Sequence, residues 1–503
     1  MTAQEAPRYR LGPRSTRGLI AGWRGGQIVA VAVSALLALG ALRAEQGFGG
    51  ALLALLVAAA GVAVATWPVA GRPLESWLPT VVRYALSSRV HHRGRATVRL
   101  PPISGAHARR SGSGHSGRGA GRTARRAQRK GELGLLTLGP ASGLSGVGPS
   151  AFGRDFGVLA DAAWRTYSAV LPVGSSGFAL LDDHGRAGAV AAWSGVLAAM
   201  AAEGRVMKRL QWIARTFPSG GGSADRPSDR TPAADSYRCL VTEVAPQLWS
   251  REVFVVVTTE EDRGLGGLRP RQGTSTGASS EVARRLSSLL GSLAERLNGA
   301  GLVTGEPLEV EELAAMLRRA YAVDPAEEGR AEGAWPPQEG VEARWRLLRT
   351  GGTFQATYWI AEWPRGEVGP GVLLPLLVGG AERRTVAMTM APLPPLRAVR
   401  RAERERTAGA ADAELRNRHG FALTARARAE QEARLQREAE LAEGHAAYLF
   451  SGYVGVTARG EAELEAACRA VEQSAALAQL ELRRLYGAQQ DAWCCTLPTG
   501  RGC

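Results

Sequence analysis

Two long apolar runs, Gln27–Leu42 and Phe48–Trp67, stand near the N-terminus with only Arg43, Ala44, Glu45 and Gln46 between them. Each run, with its flanks, approaches the ~20 helical residues that a ~30 Å hydrocarbon layer requires. So short a gap leaves only a tight reversal, and the pattern predicts a transmembrane helical hairpin. Leu74–Arg89 then reads as a helix lying near the membrane, with Trp77, Val81, Tyr84 and Ala85 on one side.

Further along, the periodicity shortens to that of mixed strands and helices. Strand patterns occur at Leu133–Leu138, Ala163–Val173, Gly177–Asp182 and Met207–Phe217, with a helix at Ala189–Ala202. The run Val253-Phe254-Val255-Val256-Val257 predicts a strand within Glu252–Thr259. A helix follows with Val282, Leu286, Leu289, Leu293 and Leu297 on one stripe, then a short strand at Leu302–Val303. Val310, Leu313, Leu317 and Tyr321 share one face of the next helix. Thr353–Trp363 and Arg384–Ala391 are strand-like, around the apolar stretch Val368–Val378. Near the C-terminus a strand at Tyr448–Thr457 leads to a helix with Leu464, Cys468, Val471 and Ala475 on one face. A strand with alternating Leu480 and Leu482 closes that unit. Such βαβ units favour an α+β, ferredoxin-like arrangement.

The fold class expected is therefore α+β, with an N-terminal transmembrane helical hairpin and ferredoxin-like βαβ units in the cytoplasmic part. The chain divides into a basic N-terminus (1–24), the hairpin (25–67), a juxtamembrane segment (68–104) and an Arg/Gly/Ser-rich linker (105–131). An α+β subdomain (132–218), a flexible linker (219–234), a second α+β subdomain (235–396), a charged helical arm (397–447) and a C-terminal βαβ unit (448–503) follow. Within the arm, Glu and Arg often stand three or four apart, which supports exposed helix. Gly409 and Gly420 suggest two helices rather than one rod.

Charge sharpens the reading of the hairpin. Arg8, Arg10, Arg14, Arg17 and Arg24 precede it, and Arg72, Arg83, Arg89, Arg93 and Arg95 follow it, while its turn has Arg43 alone, offset by Glu45. Under the positive-inside bias both chain ends are cytoplasmic, and Trp23, Trp67 and Trp77 stand where an interfacial aromatic belt would put them. The membrane-interface candidates are thus Trp23, Arg24, Arg43, Trp67 and Trp77. A cleaved signal peptide is disfavoured, because the second run follows at once and an Arg would sit inside the cleavage site. A buried Ala-rich soluble hairpin is the other alternative.

The net charge of +15 is nearly all arginine, since Lys130 and Lys208 are the only lysines. With abundant Ala and Gly, this reflects base composition as much as function. Arg109, Arg110, Arg118, Arg122, Arg125, Arg126, Arg129 and Lys130 crowd the Gly/Ser linker. That segment has too little apolar surface to fold. It reads first as a solvated tether, then as a contact for anionic lipid. Direct nucleic-acid contact is disfavoured because aromatic residues that stack bases are absent.

Candidate chemistry is thin. Neither lysine follows a glycine, so a Walker A motif is absent. Gly112-Ser113-Gly114-His115-Ser116-Gly117 matches GxGxxG in letters only, with no strand before it. The 7 histidines form no HExxH pattern and the 5 cysteines no paired CxxC spacing, so no metal and no cofactor are expected. Asp182-Asp183 and Glu260-Glu261-Asp262 end strand-like segments and read as solvated turns. No catalytic residue is assigned.

Some of these segments carry a resemblance. Gly452-Tyr453-Val454-Gly455-Val456-Thr457, Glu461–Gln473, Leu482-Arg483-Arg484-Leu485-Tyr486-Gly487 and Leu497-Pro498-Thr499-Gly500-Arg501-Gly502 resemble the last part of a family of actinobacterial conjugation proteins. Tyr358-Trp359-Ile360-Ala361-Glu362-Trp363-Pro364 is similar to the same family. These proteins look like the N-terminal, non-ATPase half of the type IV secretion ATPase. The hairpin is similar to the PrgI-like two-helix inner-membrane subunit. The resemblance implies a non-catalytic inner-membrane platform that docks a separately encoded P-loop ATPase, other channel subunits and sister copies. A type VII, ESX-like core scaffold is the alternative reading, and a membrane-tethered enzyme of unknown chemistry a second.

Overall fold

The computed structural model describes residues 25–44, 47–66, 68–69, 72–73, 77, 80–82, 84–85, 133–138, 152, 155–161, 164–174, 177–218, 231–244, 249–260, 275–321, 341–364, 366–380, 382–418 and 425–502. The two apolar runs are helices, α1 (Gly25–Ala44) and α2 (Phe48–Thr66), packed against each other. Gly61 permits the close approach: a β-carbon there would collide with Ser34, whose hydroxyl donates to Val31 O at 2.9 Å. Leu36, Leu37, Leu55 and Leu56 are exposed on the outside of the pair. Among the described residues no helix is long and apolar enough to cross a membrane. The expected helical hairpin is present, and its expected transmembrane character is not supported by the length and apolarity of the two helices.

After a minimal hairpin, β1 (Pro68–Val69) and β2 (Arg72–Pro73), the chain builds one 12-stranded sheet in which every recorded pairing is antiparallel. Its first part contains β3 (Leu133–Leu138), β4 (Phe156–Asp161), β5 (Thr166–Gly174), α3 (Asp183–Ala202) and β6 (Arg209–Pro218). Next come α4 (Pro232–Val244), β7 (Trp249–Glu260), α5 (Ser275–Gly299), β8 (Val303–Thr304) and α6 (Val310–Tyr321). The second part has β9 (Val341–Ala343), β10 (Leu348–Thr350), β11 (Thr353–Glu362), α7 (Leu374–Leu377) and β12 (Arg384–Leu393). It continues with α8 (Pro395–Arg418), α9 (Ala425–Ala442), β13 (Ala447–Ala458), α10 (Glu461–Leu477), β14 (Glu481–Arg484) and α11 (Gln489–Cys494).

The strand order reveals an internal duplication. β5-α3-β6, β7-α5-β8 make a βαββαβ unit with spatial order β8-β5-β7-β6, and β11-α7-β12, β13-α10-β14 repeat it as β14-β11-β13-β12. In each unit two helix-linked strands flank a third that runs against them, the split βαβ arrangement of ferredoxin-like folds. The predicted units β7-α5-β8 and β13-α10-β14 are its two second halves. Each repeat also has an outer hairpin (β3–β4, β9–β10) on the edge of its first strand, and a helix (α6, α11) after its last strand. Insertions fall at the same place in both, between the second and third strands. There α4 occupies the first repeat, and the α8–α9 arm the second.

Strand alternation explains the layers. Ala169, Leu171, Val255 and Val257 point into one core with α3 and α5, where Leu286, Leu290, Leu293 and Leu297 are fully buried. Tyr358, Val454 and Val456 face α10 on the same side of the sheet. The opposite residues, Val170, Ile213, Val256 and Ala387, face α6 and the C-terminal Trp493 and Leu497. Three local expectations fail, the first at Gly409, which does not interrupt the charged arm because α8 runs through it from Pro395 to Arg418. Gly177–Asp182 is not a strand: Gly177 has φ +80°, and Asp182 Oδ1 accepts from Gly185 N at 2.8 Å, capping α3. The 219–234 break runs into α4, whose start lies inside it.

Packing around Trp493 generates a stability prediction. A β-carbon on Gly455 would lie 2.7 Å from the Trp493 ring. Gly455→Val is expected to lower stability by about 1–3 kcal/mol through overpacking. Gly188→Ala, on the exposed side of α3 with nothing nearby, is expected to raise it by about 0.5–1 kcal/mol. Thermal melts of the two variants check the contrast.

Candidate functional site

The sequence-predicted interface residues scatter. Arg43 is exposed in the last turn of α1. Trp77 packs on Trp345 and Tyr486, with ring centroids 5.8 and 5.9 Å away, and Tyr84 meets Trp345 edge-on at 5.1 Å. Two of the four residues that the periodicity put on one side of this segment, Trp77 and Tyr84, thus dock onto the loops beside β10 and β14. Trp23, Arg24, Trp67 and the basic-linker residues Arg109, Arg110, Arg118, Arg122, Arg125, Arg126, Arg129 and Lys130 lie outside the described residues. Of the acidic pairs, Asp182 caps α3, Asp183 pairs with Arg186 at 3.2 Å, and Glu260 pairs with Lys208 at 3.1 Å. Among the described residues no three His, Cys, Asp or Glu side chains are grouped to hold a metal.

The most elaborate polar constellation was missed from sequence. It forms where residues 489–502 cross the lower face of the sheet. Gln211 of β6, fully buried, donates to Cys495 O at 2.9 Å and accepts from Gly500 N at 3.0 Å. Thr389 of β12 donates to Arg501 O at 2.7 Å, and Tyr453 of β13 to Gly502 O at 3.2 Å. Gln489 accepts from Thr357 N of β11 at 2.8 Å and donates to Leu485 O at 2.9 Å. Arg501 grips Asp161 of β4 with two bonds, 2.6 and 2.9 Å long. Burial alone would lower the Arg501 pKa, but its bonds to Asp161 raise it overall.

Gln211 and Thr389 are polar residues in strand interiors, and each would be expensive to bury without a partner. The C-terminal backbone supplies the partners. Gly500 makes this approach possible: it has φ +65° and sits directly over Thr258, leaving no room for a β-carbon. The alternation rule marks Gln211 and Thr389 as oddities among apolar neighbours, and that was the only available signal.

Cys494 and Cys495 lie in this layer, and burial pushes their thiols up to about 11 and about 12. Burial also raises the Cys468 thiol, inside the core under α10. All three are neutral at physiological pH and therefore poor nucleophiles.

At the end of the β6–β12 pair a small open cleft of ≈ 30 Å³ is lined by Arg215, Arg319, Arg383, Arg384, Thr385 and Thr457 among others. Glu252 lies 3.9 Å from Arg215 and 3.8 Å from Arg319, and Glu382 lies 3.2 Å from Arg384. Burial lowers the Arg384 pKa, opposed by Glu382 and reinforced by Arg251.

Two outcomes are expected from this layer. At pH 8 a thiol reagent should modify exposed Cys239 while Cys468, Cys494 and Cys495 stay protected until the protein unfolds, as peptide mapping would show. Because the folded thiols ionise only near 11–12 while unfolded ones ionise near 9, native stability should fall as pH rises above about 9, and the loss should be smaller in Cys494→Ala/Cys495→Ala. Separately, Asp161→Ala should destabilise by about 3–5 kcal/mol, since it strands a buried guanidinium.

Residues 247–360 match the family described as the type VII ESX secretion system translocon component EccE. The match covers under a quarter of the chain and runs from β7 through β11, across the join between the two repeats. No curated protein matches the chain. The comparison supports similarity to a secretion-system membrane component, and it points to type VII systems where the conjugation resemblance pointed to type IV.

Proposed function

We propose that this protein is a non-catalytic scaffold of a type VII, ESX-like secretion machine at the cytoplasmic membrane. The observation that carries the reading is the match of residues 247–360 to the EccE translocon family. The conjugative, type IV identity first expected is replaced by this one, because the matched segment belongs to a type VII component. Scaffold character remains common to both readings.

The α1–α2 hairpin is the membrane anchor in this proposal. Leu36, Leu55 and Phe48 are 68%, 67% and 88% exposed, a surface that water would not favour and lipid would accommodate. Both chain ends then lie on the cytoplasmic side, following the basic flanks. Trp77 and Tyr84, which follow the hairpin in sequence, dock on Trp345 beside the sheet. The α8–α9 arm offers an exposed surface for other subunits. Its two helices are held by cross-pairs, Arg406 to Glu438 at 2.8 Å and Arg437 to Glu405 at 3.0 Å.

Three measurements test the proposal. The full chain should stay in the membrane pellet after alkaline carbonate extraction, and a chain lacking residues 25–67 should be released; release of the full chain would remove the anchor. Detergent-solubilised complexes should contain an ESX-type core ATPase and membrane subunits, whereas recovery of a conjugation ATPase would return the type IV reading. The purified protein should show no ATP hydrolysis above background.

A further inference from the structure

We infer that the arginine cleft at the seam between the two repeats binds a phosphate group, carried either by a soluble molecule or by a lipid headgroup. Nothing in the scaffold reading requires such a site, and the inference stands apart from it.

The cleft gathers cations from three separate elements. Arg215 comes from β6, Arg319 from the last turn of α6, and Arg383 and Arg384 from the start of β12. Glu252 lies within ion-pair distance of Arg215 and Arg319, and Glu382 of Arg384, and neither carboxylate lines the cleft. An arginine at a helix C-terminus such as Arg319 is ordinary, because the helix dipole favours it. The burial of Arg215 and Arg384 is not ordinary.

Arg384 is 2% exposed, and its Nε and Nη2 have no hydrogen-bond partner among the described residues. Arg319 Nε is buried and likewise without a partner among them. Arg215 is 8% exposed and held in place by donation to Met316 O at 3.2 Å. Burying unsatisfied charge is costly, and a charge-bearing acceptor relieves that cost. Guanidinium groups arriving from different directions suit a tetrahedral oxyanion, which accepts on several faces, better than a flat carboxylate. The hydroxyls of Thr385 and Thr457 add neutral donors at the same rim.

The test uses the full chain in neutral detergent at low salt. Isothermal titration calorimetry is run with inorganic phosphate and pyrophosphate, and in parallel with micelles doped with phosphatidylglycerol or phosphatidylcholine. Arg319→Gln/Arg383→Gln removes two half-exposed cleft charges, and Arg428→Gln/Arg459→Gln removes two exposed charges elsewhere. Saturable binding of either phosphate or phosphatidylglycerol is expected, weakened roughly tenfold or more by the cleft variant and unchanged by the control. Binding of the soluble anions assigns a soluble source; binding of phosphatidylglycerol alone assigns a headgroup. Equal loss in both variants would mean diffuse attraction and overturn the site, as would no saturable binding of any probe. Thermal melts confirm that each variant is folded, and Arg319→Gln alone replaces the double variant if it is not.

Discussion

The antiparallel pairing of β6 with β12 is the contact on which the rest of the architecture rests. In each repeat the second strand is the edge of its four-stranded order, with a row of unpaired backbone groups. Pairing the two edges satisfies both and turns two small sheets into one. Seven residue pairs, from Arg384↔Thr216 to Met390↔Leu210, form the seam. Trp212 packs against the cores of both repeats on one side, while Gln211 and Thr389 reach the C-terminal segment on the other. The seam is therefore closed from above by apolar packing and from below by hydrogen bonds.

The duplication also places the insertions. A connection between second and third strands leaves the sheet near the seam, so elongating it disturbs neither core. The second repeat uses that freedom for an exposed helical pair, which individual surface ion pairs stabilise only weakly, by about 0.2–1 kcal/mol each. The first repeat uses it for α4. Trp77, by contrast, meets the far edge of the second repeat, where Trp345 and Tyr486 receive it.

The family match changes the meaning of the sequence resemblance more than its substance. Strand patterns in α+β domains are similar across families because burial demands the same β-branched and aromatic runs. Tyr453-Val454-Gly455-Val456 illustrates this: its alternation reflects Val454 and Val456 facing α10, and Gly455 yielding to Trp493. Packing logic of that sort is shared across families, so it does not discriminate between two secretion types.

By itself the sequence determined the elements whose signal is local. The stripe of Val282, Leu286, Leu289, Leu293 and Leu297, the alternation in β7 and β13, the two charged helices and the two helices of the hairpin are all legible, because 3.6- and 2-residue periodicities are written along the chain. Only the tertiary structure decided what those elements do together. The 4-1-3-2 order, the β6–β12 seam, the Arg501–Asp161 pair 340 residues apart and the convergence of Arg215, Arg319 and Arg383 each depend on contacts between distant positions. No periodicity records such contacts. Polar residues such as Gln211 look like local errors until the chain that satisfies them, almost 300 residues later, folds against them.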